Sequence, residues 1–152
     1  MGFENGVLGY PLTGEICGLK NGGCYQKFQG GDILWSPATG AHPTYGGIGA
    51  RWRTMGFENG VLGYPLTGEI CGLKNGGCYQ KFQGGNILWS PATGAHPTYG
   101  AIGARWRAMG AENGTFGYPT SGETCGLPDG GCFQRFQGGT INYSVIRGTF
   151  LS

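Results

Sequence analysis

Two tryptophan–histidine pairs, Trp35 with His42 and Trp89 with His96, are the residues of this chain best suited to holding a polyhydroxylated ligand. An indole offers a flat apolar face with a polar edge, which suits stacking on the C–H face of a sugar ring. A neutral imidazole donates one hydrogen bond and accepts another, which suits hydroxyls. Glu15, Glu69 and Glu123 each follow a Gly-Tyr-Pro turn, where a carboxylate can accept two hydrogen bonds from a diol or cap backbone N–H groups. Gln26 and Gln80 add amides along a strand, with Gln134 as their third copy. Each type has a structural reading too: the tryptophans as core aromatics, the histidines as ties across a turn, the glutamines as an exposed strand face.

Catalysis finds little support in the same residues. A glycosidase places two unlike carboxylates on either side of one bond, whereas Glu4 and Glu15 have counterparts in the next copy. No nucleophile elbow, phosphate loop or metal-ligand helix occurs. We therefore expect no catalytic residue, no cofactor and no metal.

Six cysteines form the spaced pairs Cys17/Cys24, Cys71/Cys78 and Cys125/Cys132. Fifteen pairings are open to six cysteines, and the repetition favours pairing within each copy, around a Gly-rich turn such as 18–23. Closing so short a loop gains little entropy, so the bond's use is to fix the turn. Disulfides at this density point to an oxidising place outside the cytoplasm. A zinc site is the rival, but each full copy adds a single histidine.

Those residues recur because the chain does. Met1 to Thr54 reappears as Met55 to Ala108 with three changes: Asp32 becomes Asn86, Gly47 becomes Ala101 and Thr54 becomes Ala108. A looser copy runs from Met109 to Ser152. A fixed period of this length marks a repeat architecture, here of repeats 1–54, 55–108 and a shortened 109–152. The 35 glycines would suggest disorder if they were unperiodic, but aromatics return at fixed offsets. A net charge of +2, with basic pairs only at Arg51/Arg53 and Arg105/Arg107, is no nucleic-acid footprint. No apolar run is long enough to span a membrane. Met1 is in phase with Met55 and Met109, which leads us to expect an export signal, and a catalytic domain, outside these 152 residues.

Within one repeat, 24–29 and 32–36 read as strands around a Gly30-Gly31 turn with positive φ. Pro37 opens a second turn, and 41–45 forms an edge strand containing Pro43. Ile48 and Trp52, four apart, mark a short helix over 48–54 that Gly56 stops. The predicted fold is mainly β with short helices: tandem β-meander-plus-helix repeats in a pseudo-symmetric array, related by a rotation or screw. No piece buries its own apolar face, so neighbours must share a core. In the third copy Tyr143 replaces the hairpin tryptophan, and Val145, Ile146, Phe150 and Leu151 form an apolar tail expected to plug the open end as a cap.

Leu8-Gly9-Tyr10-Pro11 with Glu15, Gly22-Gly23, Phe28, Gly30-Gly31, Ile33, Trp35-Ser36-Pro37, Thr39-Gly40-Ala41-His42 and Trp52 resemble the LGFP tandem repeat, Tyr10 standing in for its Phe. The third copy keeps Phe116-Gly117-Tyr118-Pro119 but loses the Trp and Thr-Gly-Ala-His elements. The resemblance implies attachment to the actinobacterial cell envelope, since such repeats form C-terminal arrays on secreted mycolyltransferases and peptidoglycan amidases. The expected function is non-catalytic binding of cell-wall polysaccharide, of arabinogalactan or peptidoglycan type, by a secreted protein that it anchors. Glycan contacts would come from Trp35, His42, Trp89, His96, Glu15, Glu69, Gln26 and Gln80, without nucleic acid or membrane insertion. The alternative is a self-assembling surface protein, a homo-oligomeric fibre or ring joined through open repeat ends.

Overall fold

Three four-stranded antiparallel sheets follow one another along the chain, with two short helices, so the fold is mainly β and tandemly repeated. The computed structural model describes residues 6–152; Glu4 and the first five positions of the first repeat lie outside them. The first repeat contains β1 (Ile16–Leu19), β2 (Gly23–Phe28), β3 (Gly31–Ser36), β4 (Gly40–Tyr45) and α1 (Gly46–Thr54). The second repeats them as β5 (Ile70–Leu73), β6 (Gly77–Phe82), β7 (Gly85–Ser90), β8 (Gly94–Tyr99) and α2 (Gly100–Ala108). The third has β9 (Thr124–Leu127), β10 (Gly131–Phe136), β11 (Gly139–Ser144) and β12 (Gly148–Leu151). Each sheet is ordered as the chain runs. β4 is thereby an edge, where Pro43 costs no ladder hydrogen bond.

The sequence reading placed only a turn between paired cysteines; the structure adds a strand. β1 pairs with β2 so that Cys17 lies opposite Cys24, and a disulfide joins them across the ladder. Cys71–Cys78 and Cys125–Cys132 do the same in their own repeats. The connecting turn needs a left-handed residue, supplied by Asn21, Asn75 and Asp129 at φ 58°, types that tolerate it.

The hairpin between β2 and β3 corrects an expectation. Neither Gly30 nor Gly31 has positive φ. Their lack of a side chain is needed for space: a Cβ on Gly30 would sit 2.2 Å from the Val7 carbonyl oxygen, and one on Gly31 2.3 Å from that of Thr44. The hairpin tip is hydrogen-bonded to the Leu8–Pro11 segment, with Gln29 N donating to Tyr10 O and Gly30 N to Leu8 O. The Gln29 side chain accepts from Tyr10 N.

α1 starts two residues before Ile48 and buries Ile48, Gly49 and Trp52. Gly56 stops it as predicted, at φ 105°. Compactness, however, does not follow the repeats. One compact unit is the chain up to Ile70 together with Gln80–Gly84; the other is Cys71–Tyr79 with Gly85–Ser152. In the first, Trp52 stacks on Phe82 at 5.8 Å and its Nε1 donates to Gly63 O at 2.9 Å. Tyr64 is 1% exposed and donates its hydroxyl to Lys20 O. In the second, Trp106 stacks on Phe136 and donates to Gly117 O, and Tyr118 donates to Lys74 O. Each unit is thus a joint in which one repeat's helix and turn receive the next repeat's Leu/Phe-Gly-Tyr-Pro segment and second strand. The shared core is real, and these are its bonds.

The tail does not plug anything with Val145 and Ile146. They occupy the tip of the β11–β12 turn and are among the most exposed apolar side chains described. A tight antiparallel turn leaves its tip residues no partner face. Phe150 lies in β12 instead, under the Arg147 guanidinium at 3.6 Å, and Arg105 of α2 donates to Thr149.

Candidate functional site

Strand register decides what the predicted residues can do together. Trp35 lies opposite Ala41, and His42 opposite Leu34. Neighbouring positions on a strand point to opposite faces, so the indole and the imidazole of one repeat project from different sides of the sheet. The second repeat pairs Trp89 with Ala95 and His96 with Leu88, with the same result. The expected Trp/His set is therefore not assembled. Trp35 remains 39% exposed and Trp89 half-buried. His42 Nε2 and His96 Nε2 lie 2.7 Å from the carbonyls of Thr39 and Thr93. That contact ties the Pro-Ala-Thr-Gly turn to the strand after it.

Gln80 is a clear correction. It is 1% exposed, and its Nε2 donates to Pro43 O and Thr67 O, both at 2.8 Å. A strand position that looked like an open face is closed by the preceding repeat's β4, so Gln80 serves the joint. Gln134 does likewise, donating to Pro97 O and Ser121 O. Gln26 is half-buried and donates to Thr13 O.

The carboxylates are spread out. Glu15 is exposed, with Oε1 3.8 Å from Cys17 Sγ. Glu69 is half-buried and accepts a hydrogen bond from Tyr45; burial raises its pKa above the ordinary carboxylate value, and the Tyr45 bond opposes the rise. Burial raises Glu123 too. Each of these glutamates lies close to a disulfide, but sulfurs bonded to each other are not the thiolates that a metal needs.

What the sequence reading missed is a groove. In the first unit a groove of about 280 Å³ runs between the sheet and the turn after α1, walled by Tyr25, Asp32, Leu34, Arg53 and Glu58 with Trp52 as its floor. The second unit has the corresponding groove, again about 280 Å³, walled by Tyr79, Asn86, Leu88, Arg107 and Glu112 over Trp106. Glu58 is 7% exposed and its Oε2 takes one long hydrogen bond, from Asn59 Nδ2 at 3.4 Å. The rim residue Phe57 has φ 57°, and its counterpart Ala111 φ 54°, a conformation costly for a bulky residue. One signal was in the sequence. Of the three differences between the first two copies, Asp32/Asn86 falls in the groove, while Gly47/Ala101 and Thr54/Ala108 fall on exposed parts of the helices.

Compared with known families, the chain matches the LGFP repeat three times, over residues 8–60, 62–114 and 116–150. No curated protein matches it. LGFP repeats are cell-wall-associated modules of cell-surface proteins, and the repeat is not a catalytic one.

Proposed function

The chain belongs to the LGFP repeat family, and on that premise we propose that it is a non-catalytic module that binds cell-wall polysaccharide and holds a secreted protein, such as a wall hydrolase, at the envelope. One observation carries the reading: the same groove is built twice on disulfide-clamped sheets. A polymer repeats its own units, so two weak sites on one chain raise the effective concentration at the second once the first is filled, worth roughly 10²–10⁴ in avidity. The three disulfides fit an extracellular setting. No helix described is long and apolar enough to cross a membrane.

Self-assembly into a fibre or ring is the weaker reading. Both tryptophan-bearing helices are already covered by the repeat that follows them, which leaves the exposed Tyr10 segment of the first repeat as the end another copy would have to cover.

The deciding experiment is co-sedimentation of the protein with purified, protein-free cell walls. Retention that soluble wall polysaccharide competes away is the expected result. Failure to sediment with walls from any source bearing arabinogalactan or peptidoglycan rejects the reading.

A further inference from the structure

We propose that the duplicated groove beside the tryptophan-bearing helix, and not the hairpin tryptophan, is where the ligand sits, and that each groove takes one uncharged sugar ring. The inference rests on the polysaccharide-binding reading and names its site and ligand class.

Size sets the first limit. About 280 Å³ is just under the ~300–1,000 Å³ of ordinary small-molecule pockets, enough for a single ring and too little for an enclosed oligosaccharide. The two equivalent grooves therefore hold separate residues of a polymer.

Charge sets the second. In the first groove Asp32 and Glu58 are balanced by Lys27 and Arg53; in the second Glu112 is balanced by Arg107. A phosphate or carboxylate would meet the two acids of the first groove, and an ammonium would meet the two bases. A neutral polyol meets neither penalty. Its hydroxyls donate to the carboxylates and accept from guanidinium, the charge-assisted bonds that are the stronger kind. The Asp32/Asn86 difference fits the same ligand, because an amide oxygen still accepts from a hydroxyl although the charge is gone.

Burial supplies the independent observation. Glu58 is more than nine-tenths buried on the groove wall with one long hydrogen bond, and a buried carboxylate is costly unless its oxygens are satisfied. Glu112, its counterpart, is half-buried and likewise takes one long bond, from Asn113 Nδ2 at 3.5 Å, so in both grooves a ring hydroxyl can add a shorter donor to the carboxylate. Tyr25 and Tyr79, each half-buried on the wall, offer an aromatic face or a phenol to the ring.

The test is retardation of the 152-residue protein in native gels containing soluble arabinogalactan, with soluble peptidoglycan strands as a second arm. Arg53→Ala together with Arg107→Ala is expected to weaken retardation by roughly tenfold or more, the worth of one charge-assisted bond per site, whereas Trp35→Ala with Trp89→Ala leaves it within about twofold. The opposite pattern, retention lost with the tryptophans and kept without the arginines, overturns the groove assignment and leaves the polysaccharide reading standing. No retardation of the unmodified protein in either arm overturns both. A second readout needs no variant: phenylglyoxal labelling of Arg53 and Arg107, read by mass spectrometry. Protection of both by the retarding polysaccharide supports the groove, and equal labelling with and without it overturns the proposal.

Discussion

Leu8-Gly9-Tyr10-Pro11 and Leu62-Gly63-Tyr64-Pro65 are the same four residues, yet Tyr10 is 60% exposed and Tyr64 is 1% exposed. Both motifs fold alike: Gly9 and Gly63 have positive φ, and Tyr10 N and Tyr64 N each donate to the glutamine at the hairpin tip. What differs is the repeat in front. Tyr64 reaches back 44 residues to Lys20 O, over Gly23, where a Cβ would lie 2.0 Å from the phenolic oxygen. No described residue receives Tyr10 in this way. The element that names the family is therefore a plug for the preceding repeat, and its energetic value depends on having a socket.

The largest effect should come from Trp52→Ala, which removes the stack on Phe82 and the bond to Gly63 O; a loss of about 3–5 kcal/mol is expected in denaturant unfolding. Trp35→Ala, on the exposed sheet face, should cost less than about 1 kcal/mol. Equal losses would mean that the two indoles are not core and surface. Next come changes to the socket. Gly23→Ala forces a methyl into the Tyr64 hydroxyl and should cost about 1–3 kcal/mol. Gly14→Ala, with open space around it, should be near neutral. Tyr64→Phe removes one of the two hydrogen bonds to the Lys20 carbonyl, which keeps that from Gly23 N, at about 0.5–1.5 kcal/mol, while Tyr10→Phe should stay within about 0.5 kcal/mol. A matching loss at Tyr10 would show that the first motif is also seated.

The smallest effect is in pH dependence. Burial holds Glu69 and Glu123 above the ordinary carboxylate value, so the folded state favours their protonated forms. That contribution is complete below the unfolded carboxylate pKa and is lost as pH rises through the raised folded value. Glu69→Gln with Glu123→Gln should flatten this slope in urea midpoints measured across the acid range. An unchanged slope would place the titration elsewhere.

Much of the fold was legible because it is local. The hairpin, the edge strand holding Pro43, the helix with Trp52 four residues after Ile48, and the Gly56 stop all follow from periodicity and turn chemistry within a dozen residues. β1 was missed because Ile16-Cys17-Gly18-Leu19 has no alternation of its own and becomes a strand through its ladder to β2. Gly30 and Gly31 were explained by the wrong property, conformation in place of space, since the chain that crowds Gly30 comes from Val7. The arrangement of the candidate site is not local either. Trp35 and His42 are seven apart in the chain, but the register of β3 with β4 sends them to opposite faces.

The sequence by itself determined the three-fold repetition, the pairing of cysteines within each repeat, the β-rich class and the family, because each is written in spacing along the chain. Only the tertiary structure decided that Gln80 is sealed, that Tyr64 is a plug, and that Tyr25, Asp32, Arg53 and Glu58 line one groove. Those outcomes depend on which surfaces consecutive repeats press together. Burial and hydrogen-bond partners across such a joint are set by packing between residues up to 44 positions apart, which no local pattern records.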